Sequence, residues 1–162
     1  MPNIMYSQRE FTLIYDRHVD TVYRVCYSFM KNKSDAEDMT QEAFLRLLSA
    51  DIQFENQRHE KAWLIVTASN LCKDTLKKWW RKTESIDDHI SVANNEQMGP
   101  SEVVEALMSL NKDYKTAVYM YYYEGYSTAE IAGHLNCPEA TVRSRLSRAR
   151  KQLKTLLGGE AG

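Results

Sequence analysis

From Phe11 to Phe29 the inward-facing positions return at steps of three and four: Phe11, Ile14, Tyr15, His18, Val22, Cys26 and Phe29. That period suits a helix with one buried face, and a strand cannot satisfy it. The pattern starts behind Ser7 and Glu10, where a serine and a glutamate three residues apart can cap each other's backbone. The same pair recurs as Ser34 and Glu37 and again as Ser127 and Glu130, each opening a further helical stretch. With six glycines and three prolines the chain is short of the turn residues a many-stranded fold uses. The expected fold class is all-α.

The second helix is expected to run to about Ser49, with Met39, Ala43, Leu47 and Leu48 inward. "ADIQFENQRHE" keeps no period and reads as a loop. A long helix follows from Lys61, with Trp63, Val66, Leu71 and Leu76 in its core. Residues 84–100 lose periodicity, gain Asp, Asn and Ser, and end in Gly-Pro, which marks a linker. Beyond it, Ser101 caps a short helix to about Leu110. A further helix closes at Gly125, where a left-handed cap is expected. Pro138 suits the first position of the last helix. The reading is two small helical bundles joined by a flexible linker, over 1–83 and 101–162.

The formal net charge is −1, yet "PEATVRSRLSRARKQLK" after Glu139 holds six cations and no acid. Val142, Leu146, Ala149, Leu153 and Leu156 form its core stripe. Thr141, Ser144, Ser147, Arg148 and Lys151 fall on the other side. A helix, a short turn and a second helix with a cationic, hydroxyl-rich face describe a helix-turn-helix that enters a major groove. Arg143 near the helix start opposes the helix dipole, so a plain solvated helix explains it poorly.

A second basic stretch, "KDTLKKWWRK", interleaves cations with Trp79 and Trp80. It suits nucleic acid or, equally, the closing of the first bundle. The acid is spent in "SDAEDMTQEAF", where Asp35, Asp38 and Glu42 share a helical face with Gln41 alongside. DNA would repel that face, so a basic protein partner is expected. Metal binding lacks a second carboxylate helix; neither a metal nor any other cofactor is expected. His18, His59, His89 and His134 are scattered and form no nucleophile–base set, so no enzymatic activity is expected. The three cysteines are far apart, and neither a signal peptide nor a membrane span is visible, which suits the cytoplasm. A stand-alone helix-turn-helix regulator is the alternative in the binding class. A magnesium-dependent nucleotide phosphohydrolase is the alternative among enzymes.

"DAEDMTQEAFLRL", "AWLIVTASNLCKDTLKK" and "EGYSTAEIAGHLNCPEATVRSRLSRARKQL", in that order, resemble the extracytoplasmic-function (ECF, group IV) sigma factors of bacterial RNA polymerase. The resemblance runs from about Phe11 to Leu157. It implies a region-2 domain at 1–83, a linker at 84–100 and a region-4 domain at 101–162. It also implies binding of core RNA polymerase, recognition of the −10 and −35 promoter elements, strand opening and initiation of transcription. By similarity, Asp35, Asp38, Gln41 and Glu42 dock on the clamp helices of the β′ subunit. The stretch near Glu55 to Lys61, with Asn70, Lys73, Asp74 and Lys77, captures a base flipped from the −10 element. Ser127, Thr128, Thr141, Arg143, Ser144, Ser147, Arg148 and Lys151 meet the −35 duplex. The tyrosine-rich "YMYYYEGY" is expected to serve as core and as a surface for the polymerase β flap. Membership further implies an anti-sigma partner.

Two departures stand out. Trp79 and Trp80 lie beyond the segment expected to trap a base, so they read as packing or upstream-duplex contacts. Asn111 stands where the family often has proline. The linker's 17 residues reach at most about 55 Å. Promoter elements about 25 base pairs apart span roughly 85 Å, so with two domain radii of about 12 Å each the linker must run nearly extended.

Overall fold

The computed structural model describes residues 6–82 and 106–156. The chain divides into two compact units, Met1–Gly99 and Pro100–Gly162, and no strand occurs among the described residues. The expected linker at 84–100, the Ser101 cap and the Leu156 side chain lie outside the described residues.

In the first unit, α1 (Gln8–Met30), α2 (Lys33–Ser49) and α3 (Gln57–Lys82) pack each against the other two. The first cap is as the sequence predicts. Ser7 Oγ accepts the Glu10 N–H at 3.1 Å and Glu10 Oε1 accepts the Ser7 N–H at 2.9 Å. Ile14, His18, Val22, Cys26 and Phe29 are buried. Phe11 and Tyr15 sit half-buried against Phe44 of α2, at 6.2 and 4.8 Å between ring centres.

The second cap differs from expectation. Lys31 ends α1 in the left-handed region, φ 65°, and Asn32 follows in an extended conformation. Asn32 Oδ1 accepts the Asp35 N–H at 2.9 Å and its Nδ2 donates to Asp35 Oδ2 at 2.7 Å. Asparagine caps as well as serine does, and the left-handed turn delivers it first, so Ser34 falls inside the helix. Ala43 and Leu47 are buried as predicted, with Ala36, Thr40 and Phe44, whereas Met39 and Leu48 are half-buried.

α3 starts four residues before the expected Lys61. The Asn56 side chain accepts the His59 N–H at 2.8 Å, and its carbonyl accepts the Glu60 N–H at 3.1 Å. Of the predicted core face only Leu71 is buried, and the rest is turned. Ala62, Leu64, Ile65, Ala68, Leu71 and Cys72 are buried, while Trp63, Val66 and Leu76 are half-buried. A long helix can pair its apolar residues into more than one stripe, and burial against α1 and α2 selects the stripe through Leu64 and Ile65.

In the second unit, a helical turn at 106–108 precedes α4 (Lys112–Val118), which passes directly into a π-helical turn, Tyr119–Tyr123. Asn111 caps α4, its Oδ1 accepting the Asp113 N–H at 2.8 Å. The wider π turn stacks Tyr119 on Tyr123 at 4.9 Å. Gly125 then adopts φ 81°, the left-handed conformation predicted for it. α5 (Thr128–Leu135) and α6 (Glu139–Leu156) complete the unit.

The Ser127–Glu130 capping box opens α5 as predicted. Asn136 ends it at φ 57°, and Ala132 O accepts the Cys137 N–H at 3.1 Å. Pro138 stands just before α6, with its carbonyl accepting from Thr141 and Val142. It therefore caps the helix from outside instead of filling the first helical position.

Candidate nucleic-acid and partner interfaces

Two roles divide the acidic residues of α2. Asp35 is tied into the Asn32 cap and half-buried, while Asp38 and Gln41 are exposed. Glu42 keeps its carboxylate 3.7 Å from Arg46 Nε, one turn along. A loosely paired, solvated carboxylate of this kind is easily drawn to an incoming cation. The outward acid is therefore the exposed Glu37 and Asp38 with the half-buried Glu42, and Gln41 lies between the last two.

On α3 the half-buried Trp63 and Val66, the exposed Asn70 and Lys77, and the half-buried Lys73 follow one another at steps of three and four. At 100° per residue they share one stripe along the outer face, with Asp74 at its edge. Lys61 stands apart, since nine residues from Asn70 place it half a turn away. It faces α1 closely enough to disfavour protonation of His18. The loop ahead of α3 is pinned to the start of the stripe. Phe54 packs edge-on against His59 at 5.2 Å and Trp63 at 5.8 Å, and the Glu55 N–H donates to His59 Nδ1 at 3.1 Å.

Behind that loop lies a network that sequence reasoning missed. Glu60 is buried, 8% exposed, and its Oε1 accepts from Arg17 Nη1 at 2.6 Å and His18 Nε2 at 2.7 Å. Burial holds the His18 imidazole below its ordinary pKa, against the opposing pull of Glu60. The neutral ring then donates from Nε2, which leaves Nδ1 a bare lone pair with no partner among the described residues. A lone pair tolerates this better than an N–H would. The partners lie 42 and 43 residues apart, so no local spacing announces them. Arg17 beside His18 on the predicted helix was the available hint.

In the helix-turn-helix, Val142, Leu146 and Ala149 are buried and Leu153 half-buried, as predicted. Arg148 and Lys151 are exposed; Thr141, Ser144 and Ser147 are half-buried beside them. Arg143 is exposed but paired, its Nη1 3.1 Å from Glu139 Oε2. The same oxygen accepts from Thr128 Oγ1 at 2.6 Å. Glu139 therefore links the starts of α5 and α6 and offsets the dipole cost of Arg143. Ser127 spends its hydroxyl on its cap. Ser144, Ser147, Arg148 and Lys151 remain together on one outward surface.

Ser147 and Lys151 also border an apolar groove of about 660 Å³, floored by Leu107, Leu110 and Tyr119. Of the tyrosine run, Tyr119 and Tyr126 are core, while Tyr121, Tyr122 and Tyr123 are exposed, Tyr122 accepting from Arg150 Nη1 at 2.8 Å. No group of three or more His, Cys, Asp or Glu side chains able to hold a metal occurs among the described residues. None of the described helices is long and apolar enough to cross a membrane.

Two family models match the chain: Sigma-70 region 2 over residues 14–82 and Sigma-70, region 4 over residues 101–153. Among curated relatives, the ECF RNA polymerase sigma factor SigM of Bacillus subtilis is 33% identical over 153 residues, covering 88% of this chain and 92% of SigM. The chain belongs to the ECF sigma factors. SigE of Mycolicibacterium smegmatis is 32% identical over 152 residues, which are 87% of this chain and 59% of that longer protein. The chain thus spans about three-fifths of SigE. The sigma factor RpoE, solved in complex with the anti-sigma factor NepR from Bartonella quintana, shares the fold. Its TM-score is 0.72 at 23% identity, covering 95% of this chain and 98% of RpoE. An ECF sigma factor works on core RNA polymerase and promoter DNA.

Proposed function

We propose that this ECF sigma factor divides its work by charge. The exposed Asp38 and Gln41 and the half-buried Glu42 dock on the β′ clamp helices, while Asp35 holds the cap that presents them. The outer stripe of α3, with Asn70, Lys73, Asp74 and Lys77 below the Phe54 loop, takes the −10 element. Lys61, on the other side of the helix, contributes charge at a distance. Ser144, Ser147, Arg148 and Lys151 read the −35 duplex, with Thr141 at the edge. Arg143, Ser127 and Thr128 orient the two helices and reach only backbone phosphates. The corresponding domains are region 2 at 1–83 and region 4 at 101–162, tethered by 84–100.

The observation that carries this reading is the separation of sign. The exposed acid of one helix and the exposed cations of two others lie on different elements. The protein acts by binding and carries no chemistry of its own, in the cytoplasm where polymerase is found. RpoE is solved with the anti-sigma factor NepR and CnrH with the cytosolic domain of CnrY, and we extend a partner of that kind to this chain.

The test is retention of core RNA polymerase on the tagged full chain. A variant carrying Asp38→Lys and Glu42→Lys should lose polymerase by at least tenfold, because like charges then face each other. Equal retention by wild type and variant would remove the acidic face from the dock.

A further inference from the structure

The outer stripe of α3 does not stop at Lys77. Trp80 and Arg81 are three and four residues further on, so they continue the face that carries Asn70, Lys73 and Lys77. Trp80 is 75% exposed, the most exposed of the large apolar side chains among the described residues. Lys77, Lys78, Arg81 and Lys82 are all exposed, and none forms an ion pair among the described residues. The packing half of the expectation for these tryptophans therefore fails for Trp80 among the described residues.

We propose that Trp80 is a stacking platform for an unpaired base of single-stranded DNA, with Lys77 and Arg81 holding the flanking phosphates. An indole standing in water loses apolar surface to any flat ring laid on it, and every base offers such a ring. The surrounding cations select an anionic chain over an apolar protein surface. Duplex DNA hides its base faces, so the indole adds affinity for a single strand alone.

From Asn70 to Trp80 the helix rises ~15 Å, so Trp80 holds a second base, separate from the one at the Phe54 loop. Lys73 and Lys77 fill the interval, where the connecting phosphates must run. The proposal rests on the −10 assignment of this face and adds to it a residue that this assignment does not contain.

The experiment is anisotropy titration of the full chain with a fluorescein-labelled 12-residue oligo-dT and with a duplex of equal length. Trp80→Ala should weaken single-strand binding roughly 10- to 100-fold and leave duplex binding unchanged. Trp80→Phe should restore most of the loss, since it keeps a ring. Lys77→Ala should weaken both and flatten the salt dependence. Undiminished single-strand binding by Trp80→Ala would overturn the proposal, as would equal losses on both DNAs. Loss with Lys73→Ala but not with Trp80→Ala would overturn it while sparing the −10 assignment. A wild-type chain that holds no single strand would overturn both.

Discussion

Glu60 shows how much one side chain can organise. Its carboxylate is nearly out of water and is tolerated because Arg17 and His18 both bond it. Removing one partner of such a set strands the others, which costs far more than the set contributes over an apolar replacement. Glu60→Ala should destabilise the first unit by about 3 kcal/mol, read as a lower urea midpoint at unchanged slope. His18 adds a pH dependence of known sign. The folded ring binds its proton less readily than the unfolded one, whose ordinary value is 6.5. Acid therefore favours the unfolded chain. Stability carried by His18 is complete above about pH 6.5 and drains as the pH falls through the lower folded value. Equilibrium unfolding between pH 7.5 and 5 should show this loss, and His18→Gln should remove it. The network could not be read from the sequence beyond Arg17 and His18 on the first helix, because Glu60 comes to them from α3, 42 and 43 residues along the chain.

Among the elements, two of the three serine–glutamate boxes were legible, whereas starts capped by asparagine and faces chosen by neighbours were not. The Ser7–Glu10 and Ser127–Glu130 boxes and the Gly125 terminus are local chemistry, complete within a few residues. The start of α2 went to Asn32 because the left-handed Lys31 ahead of it decides where the helix can begin. The inner face of α3 was misread since Trp63 and Val66 compete with Leu64 and Ile65 for burial, and tertiary packing makes that choice. The π turn at Tyr119–Tyr123 likewise leaves no mark in a hydrophobic period of 3.6. It ends at a glycine whose conformation is demanding although its surroundings are open. A Cβ on Gly125 would meet nothing within 4 Å, so Gly125→Ala carries backbone strain alone. It should cost about 1–2 kcal/mol, measurable as a lowered thermal midpoint of the second unit with binding surfaces intact.

At the scale of the whole molecule, the opposition between a near-neutral chain and a strongly basic last helix was the most informative feature of the sequence. It is accounted for by exposed acid on α2 and exposed cations on α3 and α6, each on a separate rigid element. The three surfaces were legible because charge at helical spacing declares its face. Which members of each surface are spent internally was not: Thr128 reaches Glu139 across the turn, while Asp35 and Arg143 are taken by neighbours three and four residues away.

The most direct test of the central claim is transcription in vitro from bacterial genomic DNA by core polymerase with and without this chain, mapped by sequencing the RNA 5′ ends. The account predicts new start sites preceded by two shared sequence elements at a constant spacing. Arg148→Ala should relax the preference at the upstream element alone. Start sites identical to those of core polymerase by itself, with the chain folded and bound to the enzyme, would contradict it.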